Sequence, residues 1–430
     1  MRIAMLTNNY LPFIGGVPIS IKRLSEGLRS LGHEVYIFAP SYEGEQKDEY
    51  VIRYRTKNRK ISNGFAVPNF MDPVITKAFD LYSFDVIHVH HPILIGYTAL
   101  YLGKKFKIPV VYTYHTRYEQ YLHYLAPYYN LQNRYLRERN TLLRQAEGKI
   151  LSVSENKIVP KYIKTFTKHC DLVLAPTHLM KEHLIYQGSN TQIKLLPTGL
   201  KETSFEPNIK EVRKIRQKYI GDNQFLFCTV SRLEREKNLS FLIRGMKELK
   251  NQYQDSFRLL IIGDGTKREE LEQEDIALGM EKQIIFIGTV SQDEITNYYK
   301  ACDLFVFSSK SETQGIVLLE AMAVGLPVVA VKASGVNDIV KDQVNGFITE
   351  EDEWEFSGAI HKLISNKKHY EEAAAFAYNT AREYSNETIA IKAEEYYTEA
   401  SIKKGEQYAL KKWNLRNIQK DVLSDHSLIS

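Results

Sequence analysis

Leu304-Phe305-Val306-Phe307-Ser308-Ser309-Lys310-Ser311-Glu312-Thr313-Gln314-Gly315-Ile316-Val317-Leu318-Leu319-Glu320-Ala321-Met322-Ala323-Val324-Gly325-Leu326-Pro327-Val328-Val329-Ala330-Val331 is the stretch on which the fold turns. Leu304 to Phe307 is an apolar run that reads as a buried parallel strand. A polar loop follows, Gly315 opens a helical segment, and Gly325 and Pro327 close it. Val328 to Val331 reads as the next strand, so the stretch is a βαβ unit. The helix start offers unpaired backbone N–H groups from Gly315, Ile316 and Val317 beside Gln314, together with a positive dipole end. Gly315 has no side chain to hold an anion away, and the loop lies at the carboxyl end of a strand. Glu312 and Glu320 bracket that start. Carboxylates are poor partners for phosphate and good acceptors for sugar hydroxyls, so the pattern suits a nucleotide sugar. An ordinary βαβ unit with two solvated acids is the competing reading.

Working outward, Phe225 to Val230 is a second buried strand, followed by Ser231-Arg232-Leu233-Glu234-Arg235-Glu236-Lys237-Asn238 and a helix from about Leu239. Arg232 and Lys237, five apart between a strand and a helix, can clamp a diphosphate: Arg brings a fork and Lys a point charge. Phe257 to Ile262 ends in Gly263-Asp264-Gly265, where the two glycines would let a nucleotide lie on the backbone. Ile284 to Ile287 leads into Gly288-Thr289-Val290. In the first half, Arg2 to Leu6 is a strand leading to Gly15-Gly16, paired glycines that allow close approach of a ligand to the backbone. A helix over about Pro18 to Leu31 and a strand over Glu34 to Ala39 follow. The loop is not G-x-G-x-x-G, which argues against a dinucleotide.

Asp85 to His90 and Pro109 to Tyr114 are further strands, the second running into His115-Thr116-Arg117-Tyr118. A His-Thr pair at a strand's carboxyl end is placed for substrate contact. His88, His90 and His91 suggest a metal at first sight. Neighbouring strand residues point to opposite faces, however, and no acidic partner sits at a useful spacing, so no metal is expected there. Alternating strands and helices in both halves predict an α/β protein of two Rossmann-like doubly wound domains.

The 430 residues, 43% hydrophobic and 25% charged, suit two soluble cores. No apolar run is long enough to span a bilayer. Cys170, Cys228 and Cys302 are odd in number and far apart, which argues against a disulfide framework or zinc site and for a reducing cytoplasm. The charge is divided unevenly, about +11 through Leu200 and about −6 beyond it. A basic first half points to an anionic partner. Arg53, Arg55, Lys57, Arg59 and Lys60 beside Val67 to Leu81 suit an interfacial segment on anionic lipid, and ordinary packing suits them equally. The basic, apolar-interleaved stretch from Asn133 to Lys168 reads as helical, broken or kinked at Pro160, and either membrane-facing or solvated.

The E-x7-E spacing of Glu312 and Glu320, the R-x4-K-N of Arg232 to Asn238, and the strand–glycine pair–helix opening together resemble glycosyltransferase family 4. His115-Thr116-Arg117-Tyr118 and the tyrosines and histidine up to Tyr124 resemble the matching stretch of its diacylglycerol α-glucosyltransferases. The resemblance covers about Met1 to Tyr397. It implies a GT-B fold, two Rossmann-like domains facing a cleft, with C-terminal helices crossing back to the first. Residues 1–200 would be the acceptor-binding domain, 201–385 the donor-binding domain and 386–430 the returning helices. It also implies that Glu312 contacts the transferred sugar, Glu320 the ribose, the Val290 loop the base and Gly15-Gly16 the donor phosphate. His115 would touch the donor sugar near the acceptor. Pro197 to Leu200 looks like a family segment, but Lys201 stands where an acid or amide is usual.

The implied reaction moves a hexose, expected to be glucose, from a nucleoside-diphosphate sugar, expected to be UDP-glucose, with retained anomeric configuration. Same-face attack, with the leaving phosphate helping to deprotonate the acceptor, is the family's usual route. Arg232, Lys237 and the helix start would stabilise the departing diphosphate. No D-x-D motif occurs, in keeping with a metal-independent clamp, and no cofactor is expected. The expected acceptor is 1,2-diacylglycerol, met by a peripheral enzyme on the cytoplasmic face of the membrane. A cell-wall polymer, capsule intermediate or small molecule is the alternative. A nucleic-acid partner is not expected, because no recognisable module for one is present.

Overall fold

The computed structural model describes residues 1–13, 15–45, 47–56, 69–118, 135, 148–150, 157–221, 225–253, 256–310, 312 and 314–425, the last eighteen of these by backbone alone. The chain forms two compact units: Met1–Leu196 with Ala390–Ser430, and Pro197–Ile389.

In the first unit the order is β1 (Arg2–Leu6), α1 (Gly16–Ser30), β2 (Glu34–Pro40), β3 (Val51–Tyr54), α2 (Pro73–Leu81), β4 (Val86–Val89), α3 (Ile95–Phe106) and β5 (Val110–Thr113). It continues with α4 (Val159–Lys168), β6 (Leu172–Ala175), α5 (His178–Tyr186) and β7 (Ile193–Leu195). The seven strands are all parallel, in the order β3-β2-β1-β4-β5-β6-β7. β4, β5 and β6 are buried along their whole length. Burial of whole strands follows from helices covering both faces of a parallel sheet, and it takes in two polar residues, His88 on β4 and Thr113 on β5.

The second unit holds α6 (Ile209–Ile220), β8 (Phe225–Val230), α7 (Leu239–Tyr253), β9 (Phe257–Ile262), α8 (Arg268–Ala277) and β10 (Ile284–Gly288). It continues with α9 (Ile295–Ala301), β11 (Leu304–Phe307), α10 (Ile316–Met322), β12 (Val328–Val331), β13 (Gly346–Thr349), α11 (Glu353–Ile364) and α12 (Lys367–Arg382). Its six parallel strands run β10-β9-β8-β11-β12-β13. The α/β class and doubly wound topology expected from the alternation are present in both units. In each sheet the strand order reverses at one place: between β1 and β4, and between β8 and β11. Loops leaving the carboxyl ends of those pairs diverge and leave room for a ligand.

The unit boundaries sit slightly apart from 200/201 and 385/386. Pro197–Leu200 belongs to the second unit because it pairs there. Leu200 donates its N–H to Tyr384 and accepts from Asn386, each at 2.8 Å. The last helix, α13 (Asn386–Asp425), begins in the second unit and joins the first from Ala390. Tyr397 is fully buried there and its hydroxyl lies 2.7 Å from Nδ1 of His88 on β4. Lys404 reaches both carboxylate oxygens of Asp171, at 2.9 and 2.8 Å. Glu399 pairs with Lys194 and accepts from Gln192.

The basic run proposed for a lipid surface divides. Arg53 donates to the carbonyls of Pro40 (2.9 Å) and Leu11 (2.8 Å) and lies near Glu45, so it braces the loop after β1 rather than facing outward. Arg55 pairs at 2.9 Å with Asp72, whose other oxygen caps α2 by accepting from Val74. Lys57, Arg59, Lys60, Val67 and Pro68 lie outside the described residues, as do most of residues 119–156. Pro160 stands in the first turn of α4, directly after a π-helical pair at Lys157 and Ile158, so the helical hydrogen bonding changes register at the proline.

Tyr397→Phe removes the hydroxyl that partners a buried His88 nitrogen. It is expected to destabilise the chain by about 1–3 kcal/mol, read as a lower urea midpoint. Ile402→Ala, at an exposed position of the same helix, is expected to leave the midpoint in place.

Candidate functional site

The motifs of the second half converge on the reversal between β8 and β11. Arg232 and Lys237 leave β8, Glu312 to Val317 leave β11, and the two strands are hydrogen-bonded neighbours. Their loops are tied together. Ser308 Oγ donates to the carbonyl of Lys237 at 2.9 Å, while Ser309 Oγ and the Lys310 N–H donate to that of Glu236 at 3.4 and 3.1 Å. The backbone of Glu312 is held in turn: its carbonyl accepts from Ser334 Oγ (2.7 Å) and the Gly335 N–H (3.0 Å).

Across this frame the Lys237 ammonium lies 3.2 Å from Glu312 Oε2, with both side chains mostly buried, 16% and 18% exposed. The other oxygen, Oε1, accepts from the Gly315 N–H at 3.2 Å. One carboxylate therefore bridges the cation of one motif and the helix start of the other. Lys237 has three donors, and this contact uses one of them. Arg232 is 73% exposed and pairs at 3.0 Å with Glu236, a residue that the R-x4-K spacing did not single out. An exposed i,i+4 pair of this kind holds weakly, about 0.3–0.5 kcal/mol, so the guanidinium can turn to a stronger anion.

Gly315 adopts φ +68°, and an added Cβ there would sit 3.0 Å from Ile339 and Leu318. Glycine is thus required by the backbone as well as by any approaching ligand. α10 has no acidic residue in its first turn and no side-chain cap. Gln314, expected at the donor, has its amide turned to the backbone of Thr198: Oε1 accepts from Thr198 N–H at 2.9 Å, and Nε2 donates to its carbonyl at 3.0 Å. That side chain secures Pro197–Leu200. Val290, Ile316 and Val317 pack part of their side chains against the second unit's core and stay half-buried. Glu320 faces Tyr299: burial first, and then the Glu320 charge, push that phenol well above its ordinary value.

Gly263 and Gly265 have a structural reason to be glycine. A Cβ on Gly263, at φ +131°, would stand 1.9 Å from the Ser231 carbonyl oxygen, and one on Gly265 2.5 Å from that of Leu233. The turn after β9 lies flat on the segment that carries Arg232. The sequence reading assigned these glycines to a nucleotide and missed this contact.

In the first unit, Gly15 holds the N-cap position of α1 with no side-chain cap, and an added Cβ on Gly16 would meet nothing within 4 Å. The loop before them is anchored by Arg53 and by the Tyr54 hydroxyl, which donates to the Thr7 carbonyl at 2.6 Å. His115 follows β5, and its Nε2 lies 2.9 Å from Nδ1 of His90, beyond β4. Burial pushes His115 down to about 4, His88 and His91 to about 3, and His90 well below its ordinary value, so all four rings are neutral. Alternation places His90 and His91 on opposite faces, as read from sequence. It equally places His88 and His90 on one face, and that was the available signal for the histidine cluster. Among the described residues no group of three or more His, Cys, Asp or Glu side chains is arranged to hold a metal ion.

Two family models match consecutive stretches of the chain. The model described as glycosyltransferase family 4 matches residues 14–203, and that described as glycosyl transferases group 1 matches residues 211–382. The chain is a glycosyltransferase, matching family 4 in its first half and group 1 in its second. An alpha-monoglucosyldiacylglycerol synthase of Streptococcus pneumoniae is 28% identical, over 100% of this chain and 90% of that protein. One of Acholeplasma laidlawii is 29% identical, over 92% and 96%. Among solved structures, HepE of Anabaena in complex with UDP superposes with a TM-score of 0.67 at 20% identity, covering 93% of this chain and all of that one. The GT-B fold class of this glycosyltransferase follows from such neighbours.

Two outcomes test the site's construction. Gly265→Ala must push the Leu233 backbone away and with it Arg232. A stability loss of about 2–4 kcal/mol is expected, visible in the urea midpoint. The buried neutral histidines make stability pH-dependent. Their folded pKa values lie below the unfolded value, so the unfolded chain binds more protons as pH falls. Stability is therefore expected to decline from pH 6.5 to 5, above the range of ordinary carboxylates. A flat urea midpoint over that window would mean that the folded cluster takes up as many protons as the unfolded chain does.

Proposed function

We propose that this glycosyltransferase moves glucose from UDP-glucose to 1,2-diacylglycerol at an anionic membrane surface, with retention and without a metal. The observation that carries the reading is the near full-length match to two proteins named alpha-monoglucosyldiacylglycerol synthase. Diphosphate-binding chemistry at the β8/β11 reversal supports it, and so does the basic first half of the sequence. In this reading the leaving diphosphate takes up donors of Lys237 and the Arg232 fork, which releases Glu236. Those charges stabilise the negative charge that grows as the glycosidic bond breaks. Glu312 then serves as a hydroxyl acceptor for the transferred sugar, oriented by Gly315 and Lys237. Glu320 accepts from the ribose, and His115 contacts the sugar. The protein acts peripherally on the cytoplasmic face, and the lipid enters from the membrane. Among the described residues no helix is long and apolar enough to cross a membrane.

The direct test is UDP release from UDP-glucose with anionic vesicles, with and without diacylglycerol. Release that depends on diacylglycerol is the expected result. Release with vesicles lacking it, or none at all, removes this donor–acceptor pair. Lys237→Ala and Arg232→Ala are expected to lower kcat by about 10²–10³, and Glu312→Ala to abolish turnover, while each variant still unfolds cooperatively as a folded protein. Near-normal turnover in Lys237→Ala or Glu312→Ala would remove these residues from the site.

A further inference from the structure

Four histidines gather at the carboxyl ends of β4 and β5, and only His115 is used by the reading above. The others are not equivalent. His91 is engaged with the loop after β1, its Nδ1 lying 3.2 Å from both Thr7 Oγ1 and the Asn8 N–H. His88 has both nitrogens matched, Nδ1 to the Tyr397 hydroxyl at 2.7 Å and Nε2 to Thr113 Oγ1 at 2.6 Å. His90 is 1% exposed and lies against His88, with 4.1 Å between ring centroids and the planes tilted by 37°. Its Nδ1 meets His115 Nε2 at 2.9 Å, and its own Nε2 is buried with no partner among the described residues.

That unmatched nitrogen decides where the protons are. Two neutral imidazoles joined by one hydrogen bond share a single proton along it. If His115 donates, His90 must carry its proton on Nε2, and a buried N–H is left without an acceptor. If His90 donates from Nδ1, its Nε2 is a bare lone pair and no donor is stranded. Unsatisfied buried donors are rarer in folded proteins than under-used acceptors, and they carry the full desolvation penalty. We infer that His90 is a positioning residue that fixes His115 as the Nδ1–H tautomer, so that His115 meets substrate as a neutral hydrogen-bond donor and not as a base.

The inference rests on the proposal that His115 lies at the substrate. It specifies what that contact can be. The ligand atom must be an acceptor oxygen, of a sugar hydroxyl or a phosphate. Removal of the acceptor alcohol's proton falls to another group, because the Nδ1 position is already protonated and Nε2 is occupied by His90.

The test is a long-range proton–nitrogen correlation spectrum of the full chain labelled with ¹⁵N-histidine, with the signals of His115 and His90 assigned through His115→Asn and His90→Asn. The expected result is a protonated Nδ1 and a bare Nε2 on His115. The tautomer should persist in His90→Asn, whose amide nitrogen stands near the place of Nδ1, and be lost in His90→Ala. A protonated Nε2 on His115 in the wild type, or an unchanged tautomer in His90→Ala, overturns the inference. Turnover of UDP-glucose with diacylglycerol-containing vesicles gives the second readout. His115→Asn keeps a donor near the Nδ1 position and is expected to be at least tenfold faster than His115→Gln. Equal, reduced rates would overturn the donor role. A wild-type rate in both would instead remove His115 from the substrate, whatever its tautomer, and would count against the proposed site rather than against His90.

Discussion

Three hydrogen bonds, from Ser308, Ser309 and Lys310 to the carbonyls of Glu236 and Lys237, hold together the two loops that carry the charged motifs. Without them the loops would diverge, as loops on either side of a strand-order reversal do. With them, a lysine and a glutamate 75 residues apart in sequence meet at 3.2 Å. The parallel sheet sets up the opportunity by bringing every carboxyl end to one edge. The serines turn it into a site. Gly263 and Gly265 extend the same construction to a third loop by letting the turn after β9 lie against Ser231 to Leu233.

The sheets were legible because a buried parallel strand has an unmistakable pattern: Leu304 to Phe307, Phe225 to Val230 and Val328 to Val331 are short apolar runs bounded by turn residues. Arg232, Lys237, Glu312 and Gly315 were singled out for a related reason, since each stands in the segment between such a run and the next helix. Residues that act through a partner far along the chain were not. Gln314 sits inside the motif, yet its amide is matched to the backbone of Thr198, and no local pattern announces such a pairing. Arg53 looked like a surface cation because it stands in a basic run. Its two terminal guanidinium nitrogens donate to carbonyls that only the fold brings near them.

The histidines show how a correct rule can be applied too narrowly. Alternation along β4 separates His90 from His91 and so weakens the idea of a metal. The same alternation aligns His88 with His90, and the neighbouring strand β5 then supplies Thr113 and, just beyond its end, His115. A strand reading that pairs i with i+2, and then asks what the next strand offers, would have reached this cluster. Tyr397 would still have been missed, because its approach to His88 depends on where a helix more than 300 residues later is laid.

That helix has a consequence for how the protein is made. The first unit is built from two pieces of chain with the whole second unit between them, and the hydroxyl that completes His88 is 309 residues downstream. On the ribosome the first sheet can form early, but its last buried partner emerges only after Pro197–Ile389 has been synthesised. The second unit, contiguous in sequence, can close on itself first, as domains that fold during synthesis do. The first unit thus spends the whole synthesis of the second with a gap where Tyr397 will go.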